Sequence, residues 1–525
     1  MKKKILIVAF CVCTVLLLVG CGSAVSENQP TGSNPYNFLV ENYREDSNST
    51  QDTAPSIPAG NAPSKSHSFS FTVGNGSAPF ENVEGISSAR EISQNKPYFT
   101  SKWMLTVTQP IDWKNPAAGT FEQRVLVGYK GENYPTTVQV GGYCLHDVMY
   151  GTEDVLSRDS RNDCNKLIDG NSVEVEYRFF GQSRPEGLEN TGTELWEHLT
   201  AENASRDFHH IIEVLTPVLG NDWVFSGTSK GGQATNAFAM FYPDDCRAYV
   251  SYVAPLCDGL NSESFMKNLY TTIGDSAYGK AQAAEYRALV LKFQVELAKN
   301  RGTLAQRLFE LGEKNGCCYL EYVTPEILYD LEIMEAAITV WQYDQNFDAI
   351  AKVLDSRETV SEAEYQNALF LLMTELNGPD TWSTNVWAYP YYIQLAKENG
   401  FVLYDYSWLR DALQTEGAGD CLAVTEDMEE NLVLHCTLTP EQQSAFSYNE
   451  SHRQRILEWS RSTKSNVIMI YGGTDTWYPE RIPDVQDNPN VHIYVNPTAS
   501  HTAGINSLTD GQIAEIKSLL GVEPR

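Results

Sequence analysis

Residues 224–245 read VFSGTSKGGQATNAFAMFYPDD, and the reading of this stretch decides the fold. An apolar run ends at Ser226, glycines crowd around Ser229, and apolar residues then return at helical spacing. Ala234, Ala237, Phe238 and Phe241 form a stripe that stops at Pro243. Gly227, Thr228, Ser229, Lys230 and Gly231 fit G-x-S-x-G between a strand and a helix. A serine on such a turn needs small neighbours, so that the backbone can bend sharply and expose the side chain. The helix N-terminus that follows favours developing negative charge. The context predicts a nucleophile elbow.

Working outward, short runs rich in Val, Ile and Tyr recur at 125–129, 136–140, 172–177, 223–226, 249–253, 467–471 and 491–495. Their length and composition suit buried strands of a largely parallel sheet. Helical stripes alternate with them: Ala204, Phe208, Ile211, Ile212 and Leu215 form one. Near the end, Ile513, Ile516 and Leu520 form another, between Thr509 as N-cap and Gly521 just past the end. Strands alternating with helices predict an α/β sheet covered on both faces. From 259 to 455 the alternation gives way to helical patterns, one of which opens with Thr324 as cap and Pro325 in the first turn. This predicts an insertion between two core strands, either a lid over a site or a second structural domain.

The first residues, MKKKILIVAFCVCTVLLLVGCGS, place three lysines before an apolar stretch from Ile5 to Val19, the pattern of an export signal. Leu18, Val19, Gly20 and Cys21 resemble the lipobox of bacterial lipoproteins. That resemblance implies a signal peptide over 1–20, lipidation at Cys21, and a working part held outside the cytoplasm at the cell membrane; a plain signal peptide or an uncleaved anchor is the alternative. Residues 21–66 are rich in Ser, Asn, Pro and Gly, and are expected to be a tether that buries too little surface to fold. The formal charge is −30, or −33 without the three signal lysines, a field that repels nucleic acid and anionic headgroups. No nucleic-acid partner is expected.

Outside the signal and Cys21 lie Cys144, Cys164, Cys246, Cys257, Cys317, Cys318, Cys421 and Cys436. An even number in an exported chain suggests disulfides, whose pairing the sequence does not choose. No paired CxxC and no HExxH occur, so neither a metal nor a cofactor is expected.

A serine hydroxyl attacks poorly until a base takes its proton, and the base must be held by an acid. With the elbow in this position the expected chain order is Ser, then Asp or Glu, then His. After the run at 467–471 comes GGTDTW with Asp475, and after the run at 491–495 comes NPTASHTAG with His501. Three strand ends thus present Ser229, Asp475 and His501 in that order, and none of the other histidines lies beyond the last strand. An oxyanion hole needs two backbone N–H groups, here Lys230 after the serine and either Gly142 or Tyr143 in VQVGGYCLHD.

Read together, SGTSKGGQATNAFAMFYPDD, VEYRFFGQSRPEG, IYGGTDTW and ASHTAG resemble the secreted tripeptidyl aminopeptidases, and are similar to the prolyl carboxypeptidase and dipeptidyl peptidase group. The resemblance implies an α/β-hydrolase core at 67–258 and 456–525, with a large, mainly helical cap at 259–455 between core strands. It also implies peptide substrates cleaved by Ser229, Asp475 and His501. The chain departs from the pattern at Ser226, where a second glycine is expected, and at Tyr177, where a histidine is common. Arg178, Gln182, Ser183 and Arg184 shape either the site's floor or a structural turn. An aminopeptidase must hold a free ammonium, so Glu326, Asp330, Glu332 and Glu335 on one cap helix are candidates, Glu332 and Glu335 foremost, with Trp477 as a wall for a proline ring. A serine esterase or lipase and a non-catalytic peptide-binding lipoprotein are the competing readings.

Overall fold

The computed structural model describes residues 79–188, 193–344, 346–485 and 487–522. The strand-length runs join two earlier strands in a nine-stranded sheet. The strands are β1 Ile86–Ile92, β2 Ser101–Pro110, β3 Thr120–Tyr129, β4 Thr136–Val140, β5 Asn171–Val175, β6 Trp223–Thr228, β7 Ala248–Tyr252, β8 Val467–Gly472 and β9 Val491–Asn496. Their order is β1-β2-β3-β5-β4-β6-β7-β8-β9. The pairings from β1 to β5 are antiparallel and those from β5 to β9 parallel. This is an α/β-hydrolase core. Of the antiparallel strands the sequence reading contains only β3; β1 is mostly solvent-facing and offers no apolar run, whereas β2 is buried over most of its length.

The inner parallel strands are buried along their length, every residue of β4, β5, β7 and β8 included, while the edge strand β9 is buried at two of its six residues. On one face Phe208 of the helix Ala201–Leu219 and Phe238 of the helix Lys230–Phe241 pack on Phe225 of β6, the latter at 4.4 Å between ring centroids. On another side of the core Ile516 of the helix Asp510–Leu519 joins Val224, Val250, Ile468 and Ile470. The apolar stripes legible in the sequence are these contacts. Because the strands run parallel, β4, β6, β8 and β9 all deliver the loops that follow them to one edge, where such sheets gather ligands and catalytic groups.

Between β7 and β8 the chain is helical from Ser264–Thr271 to Glu450–Ser462. The last of these helices runs through residue 455, and Arg455 lies 4.8 Å over the ring of Phe241 in a core helix. Within the cap the helix Pro325–Thr339 starts where Thr324 Oγ1 accepts the Ile327 N–H, and is buried on all sides from Ile327 onward. A helix apolar on most faces belongs in a core. Its carboxylates are therefore inside the protein, not on the solvated face that helix carboxylates usually occupy. A π-helical turn, Val340–Asp344, follows directly.

The cysteines correct the disulfide expectation: Cys144, Cys164, Cys246, Cys257, Cys317, Cys318, Cys421 and Cys436 are all free thiols. Five of them are buried, and desolvation pushes the thiols of Cys144, Cys164, Cys246, Cys257 and Cys436 upward. The export signal, the tether and Cys21 lie outside the described residues.

Candidate active site

Ser229 sits between β6 and its helix at φ 57, ψ −119, a conformation that residues with a Cβ rarely adopt. Its own N–H is tied to the Tyr252 carbonyl of β7 at 2.8 Å. The surrounding glycines are required by contact: a Cβ at Gly227 would fall 2.2 Å from the Gly231 carbonyl oxygen, and one at Gly231 only 1.8 Å from that of Val140. Ser226 is accommodated because its buried hydroxyl donates to the Val138 carbonyl at 3.1 Å and accepts from Asn162 Nδ2 at 2.7 Å.

The structure brings Ser229, His501 and Asp475 together. His501 Nε2 is 2.9 Å from Ser229 Oγ, and His501 Nδ1 is 2.6 Å from Asp475 Oδ2. Asp475 Oδ1 accepts the Trp477 N–H at 3.0 Å, so the carboxylate is fixed from both ends. A carboxylate can only accept, which places the imidazole proton on Nδ1 and leaves Nε2 able to take the serine proton. The cap reaches this point too, since the His501 N–H donates to the Gln342 carbonyl of the π-helical turn at 3.0 Å.

The loop after β4 lies directly on the elbow: a Cβ at Gly142 would meet the Gly231 nitrogen at 2.7 Å, and Gly142 has φ 82. Its carbonyl accepts a 2.6 Å bond from Lys230 Nζ. In a trans peptide the C=O and the next N–H point opposite ways, so the Tyr143 N–H is directed away from that ammonium. Of the two candidate donors in this loop, Tyr143 lines the cavity that holds Ser229.

Ser229, Tyr143, Trp477, Phe265, Phe401 and Glu335 line one cavity under the cap. Trp477 stands edge-on to Phe265 at 4.8 Å and near Phe401 at 5.8 Å, forming an aromatic corner. From the stretch TWSTNVWAYPYYIQ, Trp382, Tyr391 and Tyr392 also face this space. Glu335 accepts a hydrogen bond from Tyr404, and burial pushes its carboxyl up to about 7. Glu332 does not line the cavity. It accepts from Asn377 Nδ2 at 2.7 Å and Trp382 Nε1 at 3.0 Å, and burial, then the nearby Glu335, drive its carboxyl well above the usual range. Asp330 is ion-paired with Arg301 and Glu326 is exposed, so neither reaches the site. A second cavity, lined by Gln139, Glu174, Thr228 and His501 among others, does not include Ser229.

The stretch YRFFGQSRP proves to be a structural turn. Arg178 is wholly buried, pairs with Asp207 at 2.7 Å, and donates to the carbonyls of Pro110, Ile111 and His198. Ser183 Oγ donates to Glu176 at 2.7 Å. Tyr404, Phe265 and Phe401 have no local signal in the sequence, because they come to the site only through cap packing.

A parallel sheet that carries a strained serine, a histidine and a carboxylate on successive loops defines a serine hydrolase. Residues 82–400 match the model of the family described as PS-10 peptidase S37, and the chain belongs to that family. It is a serine peptidase. It is also 25% identical over 442 residues to the prolyl tri/tetrapeptidyl aminopeptidase of Streptomyces mobaraensis, covering 82% of this chain and 83% of that one. Among solved structures, a proline iminopeptidase from Mycobacterium smegmatis aligns at 13% identity and TM-score 0.31, over 79% of this chain and 97% of that chain. A peroxisomal alpha-beta-hydrolase from Saccharomyces cerevisiae aligns at 11% and TM-score 0.32, over 81% and 90%.

Proposed function

We propose that the protein is a serine exopeptidase that releases N-terminal tripeptides, preferring proline at the cleavage point. The observation that carries this reading is Glu335, a buried carboxylate in the cavity that also holds Ser229. A buried carboxylate held by a single hydroxyl is costly to ionise unless a cation arrives to pair with it. The free α-ammonium of a peptide is such a cation, and its capture limits how many residues fit before the serine. Glu332 lies behind it, and burial and the neighbouring Glu335 carboxyl both raise its carboxyl, which disfavours a second negative charge beside Glu335. The aromatic corner of Trp477, Phe265 and Phe401 offers a flat apolar surface to a pyrrolidine ring. The prolyl tri/tetrapeptidyl specificity named for the Streptomyces relative supports the same reading.

In the mechanism His501 Nε2 takes the Ser229 proton as Oγ attacks the scissile carbonyl, and the resulting oxyanion is held by the N–H groups of Lys230 and Tyr143. Asp475 stabilises the imidazolium. The C–N bond breaks as His501 passes its proton to the leaving amine, leaving a tripeptidyl ester on Ser229. A water then gives a proton to His501 and attacks that ester; the bond from the acyl carbon to Ser229 Oγ breaks as His501 Nε2 returns the proton to Oγ, releasing the tripeptide and restoring the resting site. We place this activity outside the cytoplasm, on a lipid anchor at Cys21. Labelling by radioactive palmitate that is lost in Cys21→Ser tests the anchor, and labelling that persists refutes it.

The test of substrate class compares Ala-Ala-Pro-nitroanilide with its N-acetyl form, which has lost the charge Glu335 would meet. The free amine is expected to react at least about tenfold faster, long-chain esters to react poorly, and mass analysis of longer peptides to show the N-terminal tripeptide. Equal rates on the two nitroanilides would move the assignment to an endopeptidase or esterase.

A further inference from the structure

Lys230 is the residue whose backbone N–H follows the serine, yet its side chain is also unusual. It is buried, with 2% of its surface exposed. Its ammonium lies 3.5 Å from the ring centroid of Tyr177, 4.7 Å from that of Phe180 and 5.4 Å from that of Tyr143. Its Nζ donates to the Gly142 carbonyl at 2.6 Å. A methionine would fill the same space without bringing a charge out of water, so packing alone gives no reason for an ammonium here.

The Gly142 carbonyl gives one. Gly142 sits at φ 82, and a peptide that follows a glycine rotates between orientations with little steric hindrance. One orientation turns the Tyr143 N–H toward the oxyanion; the opposite one turns the Gly142 carbonyl there, where its negative end repels the developing charge. A charge-assisted bond to that carbonyl, backed by three aromatic faces, holds the first orientation. We propose that the Lys230 side chain is a positioning residue for the oxyanion hole, so that one residue supplies the first donor through its backbone and aims the second through its ammonium. Tyr177 belongs to the same device, because its ring is the nearest of the three and its hydroxyl is anchored by Gln394 Nε2 at 3.2 Å.

The proposal rests on Ser229 being the nucleophile, and the experiment separates the two. Lys230→Met keeps the apolar stem but removes the bond to Gly142. With Ala-Ala-Pro-nitroanilide its kcat is expected to fall about 10²- to 10³-fold, the loss typical of one oxyanion donor, with KM within about threefold of wild type. Affinity for the peptide aldehyde Ala-Ala-Pro-H, which binds as a hemiacetal with an oxyanion, should fall in parallel. A merely structural role would lower the unfolding temperature and raise KM instead. If Lys230→Met does not fold, Lys230→Gln retains a donor of similar length and is expected to fold and to keep at least about a tenth of the wild-type kcat. A folded Lys230→Met enzyme with kcat within threefold of wild type, or a folded but inactive Lys230→Gln enzyme, overturns the proposal while leaving the nucleophile intact. Activity surviving in Ser229→Ala would overturn the nucleophile itself, whatever the Lys230 variants do.

Discussion

The edge of the sheet and the cap each hold a buried carboxylate, Asp475 behind His501 and Glu335 in the lining of the cavity, and the two are arranged in opposite ways. Asp475 is bonded at one oxygen by the His501 imidazole and at the other by a backbone N–H. Glu335 is bonded by the Tyr404 hydroxyl, and burial raises its carboxyl to about 7. The first has a cation-forming partner supplied by the fold. In our reading the second receives its cation from the substrate. Chemistry that every turnover repeats is thus pre-bonded within the rigid core, whereas recognition is left unsatisfied until a peptide arrives.

The sharpest way to break this comparison is at the core. Ser229→Ala is expected to lower kcat by about 10⁶-fold and to abolish fluorophosphonate labelling with folding unchanged, as circular dichroism would report. Turnover near the wild-type rate would remove the triad from the mechanism. Asp475→Asn should leave peptide binding intact and lose about 10⁴-fold in kcat, because an amide no longer selects the Nδ1–H form of His501.

On the cap side Glu335→Gln is expected to reduce kcat/KM for the free-amine nitroanilide on the order of 10²-fold, and to change little for the acetylated one. The wild-type KM for the free amine should fall as pH rises through about 7, where Glu335 ionises, with no such trend for the acetylated peptide. A KM ratio independent of pH would dissociate Glu335 from the amine. Trp477→Ala has the smallest expected effect on rate, about tenfold, confined to substrates with proline before the cleaved bond.

Stability provides an independent check, with a definite sign. The Glu335 carboxyl is raised from 4.5 to about 7 in the fold, so its favourable contribution is fully present below pH 4.5 and is lost as pH rises through about 7. Glu335→Gln should therefore match wild type near pH 4 and be more stable at pH 8 by up to about 3 kcal/mol in chemical unfolding. A variant less stable at pH 8 would mean that Glu335 is a structural group and not a recognition site held at a cost to stability.

Much of this was legible along the chain because the relevant physics is local. A strand, a glycine-lined turn and a helix stripe lie within residues 224–245, and the clash distances at Gly227 and Gly231 show why the motif has that composition. Asp475 and His501 were legible because a parallel sheet delivers the loop after each strand to one edge, so chain order alone narrows the candidates. The edge strand β1 was not legible, since a mostly solvated strand carries no apolar run.

What the sequence by itself determined, then, is the order of elements and the residues at strand ends, because backbone periodicity and steric limits act over a few residues. Only the tertiary structure decided which of four carboxylates on the helix Pro325–Thr339 faces the cavity, that the Arg178 stretch is a structural turn, and that the Lys230 ammonium grips Gly142. Those outcomes depend on how segments tens to hundreds of residues apart pack against one another. Burial and hydrogen bonding at such contacts, rather than local composition, set each group's charge and partner.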